Sequence, residues 1–231
     1  MTQISAHAHP IRPARSTAAS DGPDPSSLER MSDHDLLCLL LGRSVSAPIA
    51  GRVAADLLGQ FGDLGGIAAA DGPELGRVDG VGAAAIMDLK LLRQLSVRLA
   101  RSAVCARPVL SSWHALLDYA RIALAHLPRE QFRALFLDRR NILMRDELVA
   151  DGSVDHAPVY PREVIRRALE LSASALILVH NHPSGDPSPS QADISVTRQI
   201  IEAAKVFGLQ VHDHVIVGRE GTASFRSLGL I

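Results

Sequence analysis

From residue 28 to about residue 101 the apolar positions recur every three or four residues, the period of helices that bury one face. Leu36, Leu37, Leu40 and Leu41 follow Ser32, a good N-cap, and stop at Gly42. Ile49, Val53, Leu57 and Leu58 mark a second helix within 47–62. Ile86, Leu89, Leu92 and Val97 mark another, opened by the tight connection Asp79-Gly80-Val81-Gly82. The stretch SAVCARPVL (102–110) carries no such stripe and contains Pro108, which cannot continue a helix, so it reads as a linker with a domain boundary near residue 105.

Beyond that boundary the pattern becomes mixed. Residues 113–126 are helical, and QFRALFLD and NILMRDELVA read as two strands of a hairpin turning at Arg139 to Asn141. PREVIRRALELSA is a helix with Pro161 in its first turn; ALILVH is a continuous apolar run suited to a buried strand. A helix over 190–207, a strand in LQVHDHVIVG and a short tail strand in TASFRSLGLI complete the chain. Strands alternating with helices imply a sheet covered by helices. The expected divisions are a flexible tail at 1–27, an all-α domain at 28–104 and a mixed domain at 105–231.

Composition narrows the classes. The chain has 231 residues, 47% of them hydrophobic, enough for two small cores. Its two cysteines, Cys38 and Cys105, lie too far apart in sequence to suggest a thiolate zinc cluster or a disulfide framework, so a reducing cytoplasm is expected. The leader lacks a signal-peptide core and no apolar run approaches the ~20 residues of a membrane span, so a soluble protein without a membrane partner is expected. Net charge is −1, with 11 basic and 11 acidic residues up to Arg107 and 13 and 14 after it. Binding to nucleic acid would therefore need a local patch.

One such patch is conceivable. The GVG turn resembles a helix-hairpin-helix, in which Gly80 and Gly82 let backbone amides approach a DNA phosphate, and Lys90, Arg93, Arg98, Arg101 and Arg107 follow with no acid between them. Ala83, Ala84 and Ala85 stand where a basic residue usually follows that turn. The same glycines equally serve two helices that pack closely.

The chemistry concentrates in HNHPSGDPSPSQAD (180–193). His180 and His182 stand two apart at a strand end, which puts both rings on one face. Asp193 follows after a turn stiffened by Pro183, Pro187 and Pro189. Two imidazoles and a carboxylate, with a fourth position for water, form a catalytic rather than a structural zinc set. Ser190 and Asp193 also fit a helix capping box, which would account for both without a metal. His212 and His214 alternate along a strand and share a face; His114, His126 and His156 have no partner pattern, and His7 and His9 lie in the tail.

His180, His182, Pro183, Ser190 and Asp193 match the HxHP and SxxD signature of JAMM (MPN-plus) metalloproteases, and the whole stretch resembles the RadC (UPF0758) form of it. LFLD, YPREV, DHVIVG and SFRSLGL extend the likeness over roughly 28–231, including the helix-hairpin-helix region. The resemblance implies an α+β, three-layer fold like that of cytidine deaminases, a mixed sheet flanked by helices behind a small all-α domain. It implies Zn2+ held by His180, His182 and Asp193. It implies Glu130 as general base, with Glu147 and Glu163 as rivals, and Ser190 as oxyanion donor. The activity implied is hydrolysis of a peptide or isopeptide bond in a peptide or protein substrate; a DNA-binding accessory protein of repair or recombination is the alternative. Of the DH pair, His214 is read as a core residue or a neighbour of the ligands, with His212 an extra. A zinc deaminase is set aside because its HxE and PCxxC elements are missing.

Overall fold

The computed structural model describes residues 25–231 except 106 and 153–158. His7, His9 and His156 lie outside the described residues. After a 3-10 turn at Pro25–Arg30, helix α1 (Asp33–Leu41) starts where the Ser32 side chain accepts the Asp35 N–H, and buries Leu37 and Leu41. Helix α2 (Ala47–Phe61) buries Val53, Ala54 and Leu57 and ends at Gly62, whose φ of 88° suits glycine. Two short helices that the apolar periodicity does not announce follow, α3 (Leu64–Ala69) and α4 (Gly72–Leu75). Helix α5 (Ala83–Cys105) then runs through the first four residues of the expected linker, 102–105. The stripe was hard to see there because α5 is flanked by different neighbours along its length. Ala85 and Leu89 join the helical core with Leu37, Leu57, Ile67 and Leu75, whereas Val97, Ala100 and Val104 pack toward the sheet.

The second half builds a five-stranded mixed sheet. Helix α6 (Trp113–Leu124) precedes strands β1 (Gln131–Leu137) and β2 (Leu143–Asp151), then come α7 (Pro161–Glu170), β3 (Ala175–Asn181), α8 (Gln191–Val206), β4 (Gln210–Gly218) and β5 (Gly221–Ser224). Strand order is β2-β1-β3-β4-β5, with only β3 and β4 parallel. The central strand β3 carries the continuous apolar run because both of its faces are covered. Leu135, Ile177, Val179 and Val215 face α6; Phe136, Leu176, Leu178 and Val211 face α7 and α8. The expected tail strand is confined to β5, and the residues after Ser224 form turns.

Around the GVG turn, Gly80 has φ 91°, and a Cβ there would come 2.9 Å from Val53 Cγ2, so close packing already requires glycine. Lys90 Nζ donates to carbonyls at the end of α3, those of Ala68, Ala69 and Ala70. Arg93 Nη2 donates to the Ala123 carbonyl at 2.8 Å. Two of the five basic residues behind the DNA expectation are thus committed to backbone carbonyls. Among the described residues no helix is long and apolar enough to cross a membrane.

Candidate metal centre

Strand β3 ends in His180 and Asn181, and the chain turns at His182 into the proline-rich loop. Two glycines set the path of that loop. Gly185 has φ 105°, and a Cβ on Gly218 would stand 2.0 Å from the Gly185 carbonyl oxygen, so the loop lies flush on the end of β4. The His182 N–H donates to Val217 O at 2.9 Å, and the Glu220 N–H to Gly185 O at 3.1 Å. The loop delivers Ser190 as N-cap of α8 in a full capping box: Ser190 Oγ accepts the Asp193 N–H, and Asp193 Oδ2 accepts the Ser190 N–H at 2.7 Å. The cap therefore aims the rest of the Asp193 carboxylate back at the strand end.

There, His180 Nε2 lies 3.2 Å from Asp193 Oδ1, His182 Nε2 lies 3.5 Å from Asp193 Oδ2, and the two Nε2 atoms are 3.0 Å apart. A tetrahedral zinc with bonds of about 2.0–2.1 Å has ligand-to-ligand edges of about 3.3 Å, and here one donor atom from each of the three residues lies within 4.8 Å of the others, close enough for one ion to draw together. This is the one group of three or more candidate ligands found among the described residues. His182 Nδ1 is 2.9 Å from the Asp186 carbonyl, which can only accept, so Nδ1 carries the proton. That leaves His182 Nε2 as the atom facing inward.

The three side chains are electrostatically coupled. Hydrogen bonding to Asp193 raises the His182 pKa despite its partial burial, with the Asp186 carbonyl and the Glu130 charge adding to the effect. Burial pushes the Asp193 carboxyl up, but the rings of His180 and His182 and the Ser190 hydroxyl outweigh it and hold it well below the usual carboxylate range.

Glu130 lies immediately before β1 and shares with His182, Pro183 and Ser184 the lining of a cleft of about 340 Å³. Its rivals are engaged elsewhere. Glu147 makes a two-pronged pair with Arg167 at 2.6 and 2.7 Å, and Glu163 accepts from Arg166 Nε at 3.0 Å. A larger cavity of about 520 Å³ lies between α3, α5 and α6, where Arg219 connects it to the loop by donating to Ser184 O.

A RadC-like JAB domain is matched over residues 110–230. A UPF0758 protein of Rhodobacter capsulatus is 56% identical over 203 residues, which cover 88% of this chain and 95% of that one. The chain belongs to the RadC-like JAB family. Members of that family typically bind zinc, and in this RadC-like JAB domain the fold brings His180, His182 and Asp193 to one point.

Two side chains of the RadC-like site, Asn181 and Thr197, carry no signal in the sequence, whereas His214 lies beside His180 in the core, as its place in the DH pair implies. Asn181, wholly buried, accepts the Gln131 N–H at 2.8 Å and donates to the Arg129 carbonyl at 3.0 Å, clamping the backbone on both sides of Glu130. Asn181→Ala is expected to cost about 1–3 kcal/mol in denaturant unfolding, because that clamp and its buried polar partners are lost together. Thr197 and His214, also wholly buried, link α8 to His180. His212 is not on the face of His214. The β3–β4 register shifts between Leu176 and Ile177, which pair with Val211 and Asp213, so a bulge at His212 turns its ring away toward Asn141 Oδ1 at 2.6 Å. His126 packs against Gly65, and His34 sits beside Cys38.

Proposed function

We propose that this chain is a zinc-dependent hydrolase that cleaves peptide or isopeptide bonds in a peptide or protein substrate. The meeting of two imidazole nitrogens 3.0 Å apart with the Asp193 carboxylate, one donor atom of each residue lying within 4.8 Å of the others, carries the reading, since it is a donor set that suits zinc. Family membership supports the same reading.

In this reading His180, His182 and Asp193 hold the ion. When bound, zinc supplies a Lewis acid for the scissile carbonyl and lowers the pKa of water toward about 7. Glu130, on the rim of the cleft beside His182, takes a proton from the attacking water and delivers it to the leaving nitrogen. Ser190 has two duties. Its oxygen caps α8, and its O–H, which donates to Asp193 Oδ2 at 2.6 Å, swings onto the developing oxyanion. Pro128 and Arg129 line the same cleft, which is where a substrate chain would be held.

Purified protein should hold about one zinc per chain, and a screen of peptides and isopeptides should yield a substrate that wild type cuts. Folded wild type that takes up no zinc near neutral pH sinks the proposal. Affinity should also depend on pH with a defined sign. His182 must lose its proton to bind, and its pKa is raised above the usual 6.5, so zinc affinity should begin to fall above pH 6.5 and drop further on acidification. Competition titrations from pH 8 to 5 check this, and a flat profile contradicts it.

A further inference from the structure

We infer that Thr197 and His214 form a positioning relay that fixes which nitrogen of His180 carries its proton, and so presents the His180 Nε2 lone pair to a metal. The contacts of the chain stand on geometry, while their direction and its consequence for zinc rest on the function proposed above.

Once His180 Nε2 is a ligand, each link leaves one option. A ligand bond at His180 Nε2 requires a bare nitrogen there, which moves the ring proton to Nδ1. His180 Nδ1 lies 2.7 Å from His214 Nε2, which must then accept. A neutral His214 with a bare Nε2 carries its proton on Nδ1, 2.5 Å from Thr197 Oγ1. Thr197 Oγ1, having accepted, must donate in turn, and it lies 2.6 Å from the main-chain carbonyl of Asp193, which can only accept. The relay therefore begins at one candidate ligand and ends on the backbone of another.

Water cannot replace a missing link. His180, His214 and Thr197 are each 0% exposed. Aromatic rings close the sides: Phe132 stacks on His180 with centroids 5.8 Å apart, and Phe225 lies 4.5 Å from His214. A histidine in this setting needs an acceptor from the protein itself. Thr197 supplies it, and its branched Cβ limits the rotamers its hydroxyl can leave for.

Thr197→Val keeps the shape and removes the acceptor. In the metal-bound form His214 Nδ1–H is then left without a partner, whereas the metal-free form can move the proton to His214 Nε2. The penalty falls on the bound state, so zinc affinity should fall about 10–100-fold, the usual range for losing such a support. Thr197→Ser retains the hydroxyl and should stay within about threefold of wild type.

Zn2+ affinity is measured by chelator competition on full-length wild type, Thr197→Val and Thr197→Ser, with long-range 1H–15N spectra of the His214 ring in zinc-loaded wild type. The expected result is weak binding only in Thr197→Val, and a His214 ring protonated at Nδ1 and bare at Nε2. Wild-type affinity in a folded Thr197→Val overturns the inference, as does a proton on His214 Nε2 in the loaded wild type. If Thr197→Val does not fold, the ring spectra of wild type decide. Wild type that binds no zinc instead overturns the function proposed above, and the two failures are thus distinct.

Discussion

Glu130→Gln is expected to keep its zinc and lose turnover by about 10²–10⁴-fold, the range associated with removing a general base. The substitution preserves size and the main-chain bonds that Asn181 makes on either side of residue 130. What it removes is the ability to take a proton. The comparison that gives the result meaning is with Glu147→Gln and Glu163→Gln. Those carboxylates are bound to Arg167 and Arg166 and lie outside the cleft beside His182, so their amides should turn over substrate at close to the wild-type rate. Zinc content and cleavage of the substrate found by screening are measured on all three. An active Glu130→Gln, or an equal loss in Glu147→Gln, assigns the base elsewhere.

Asp193→Asn should do the converse and empty the site. The amide keeps an oxygen for the Ser190 N–H, so α8 retains most of its cap, but the charge facing His180 and His182 is gone. Zinc affinity should drop by at least about 10²-fold, beyond the loss expected for a supporting residue. The metal-free protein offers an independent reading. Because the Asp193 pKa is held below its ordinary value near 3.9, its contribution to stability is present above that value and drains away as pH falls through the depressed folded-state pKa. Asp193→Asn should therefore lower stability at neutral pH and flatten the acid limb of a stability-pH curve. Parallel curves for the two proteins would contradict the electrostatic account.

The elements that were legible in the sequence are those whose signal is local. ALILVH reads as a buried strand because every one of its positions is covered, and Ser190 with Asp193 reads as a helix start because capping is decided within four residues. The spacing of His180, His182 and Asp193 was visible for the same reason. Asn181 was not, because alternation along a strand says only that it points away from its histidine neighbours, and its partners lie 50 and 52 residues upstream. The bulge at His212 leaves no trace in a period-two pattern, so the two histidines of β4 were placed on one face. Lys90 and Arg93 read as part of a basic patch for DNA because nothing local announces the carbonyls of α3 and α6 that they satisfy. Helices α3 and α4 are too short to display a period at all.

The ancestry of the site's parts along the chain also separates two thresholds of assembly. His180, His182 and Asp193 belong to one strand-loop-helix unit, whose ends meet at the low entropic cost of a short closure. Glu130 joins them only after β1 has paired with β3 and Asn181 has found the backbone about fifty residues away. Pairing across that separation closes a longer loop and carries a larger entropic cost than the strand-loop-helix unit does. Partial unfolding from the β1 side should consequently produce a species that still captures an ion yet performs no chemistry, so metal content alone is a poor gauge of a working population.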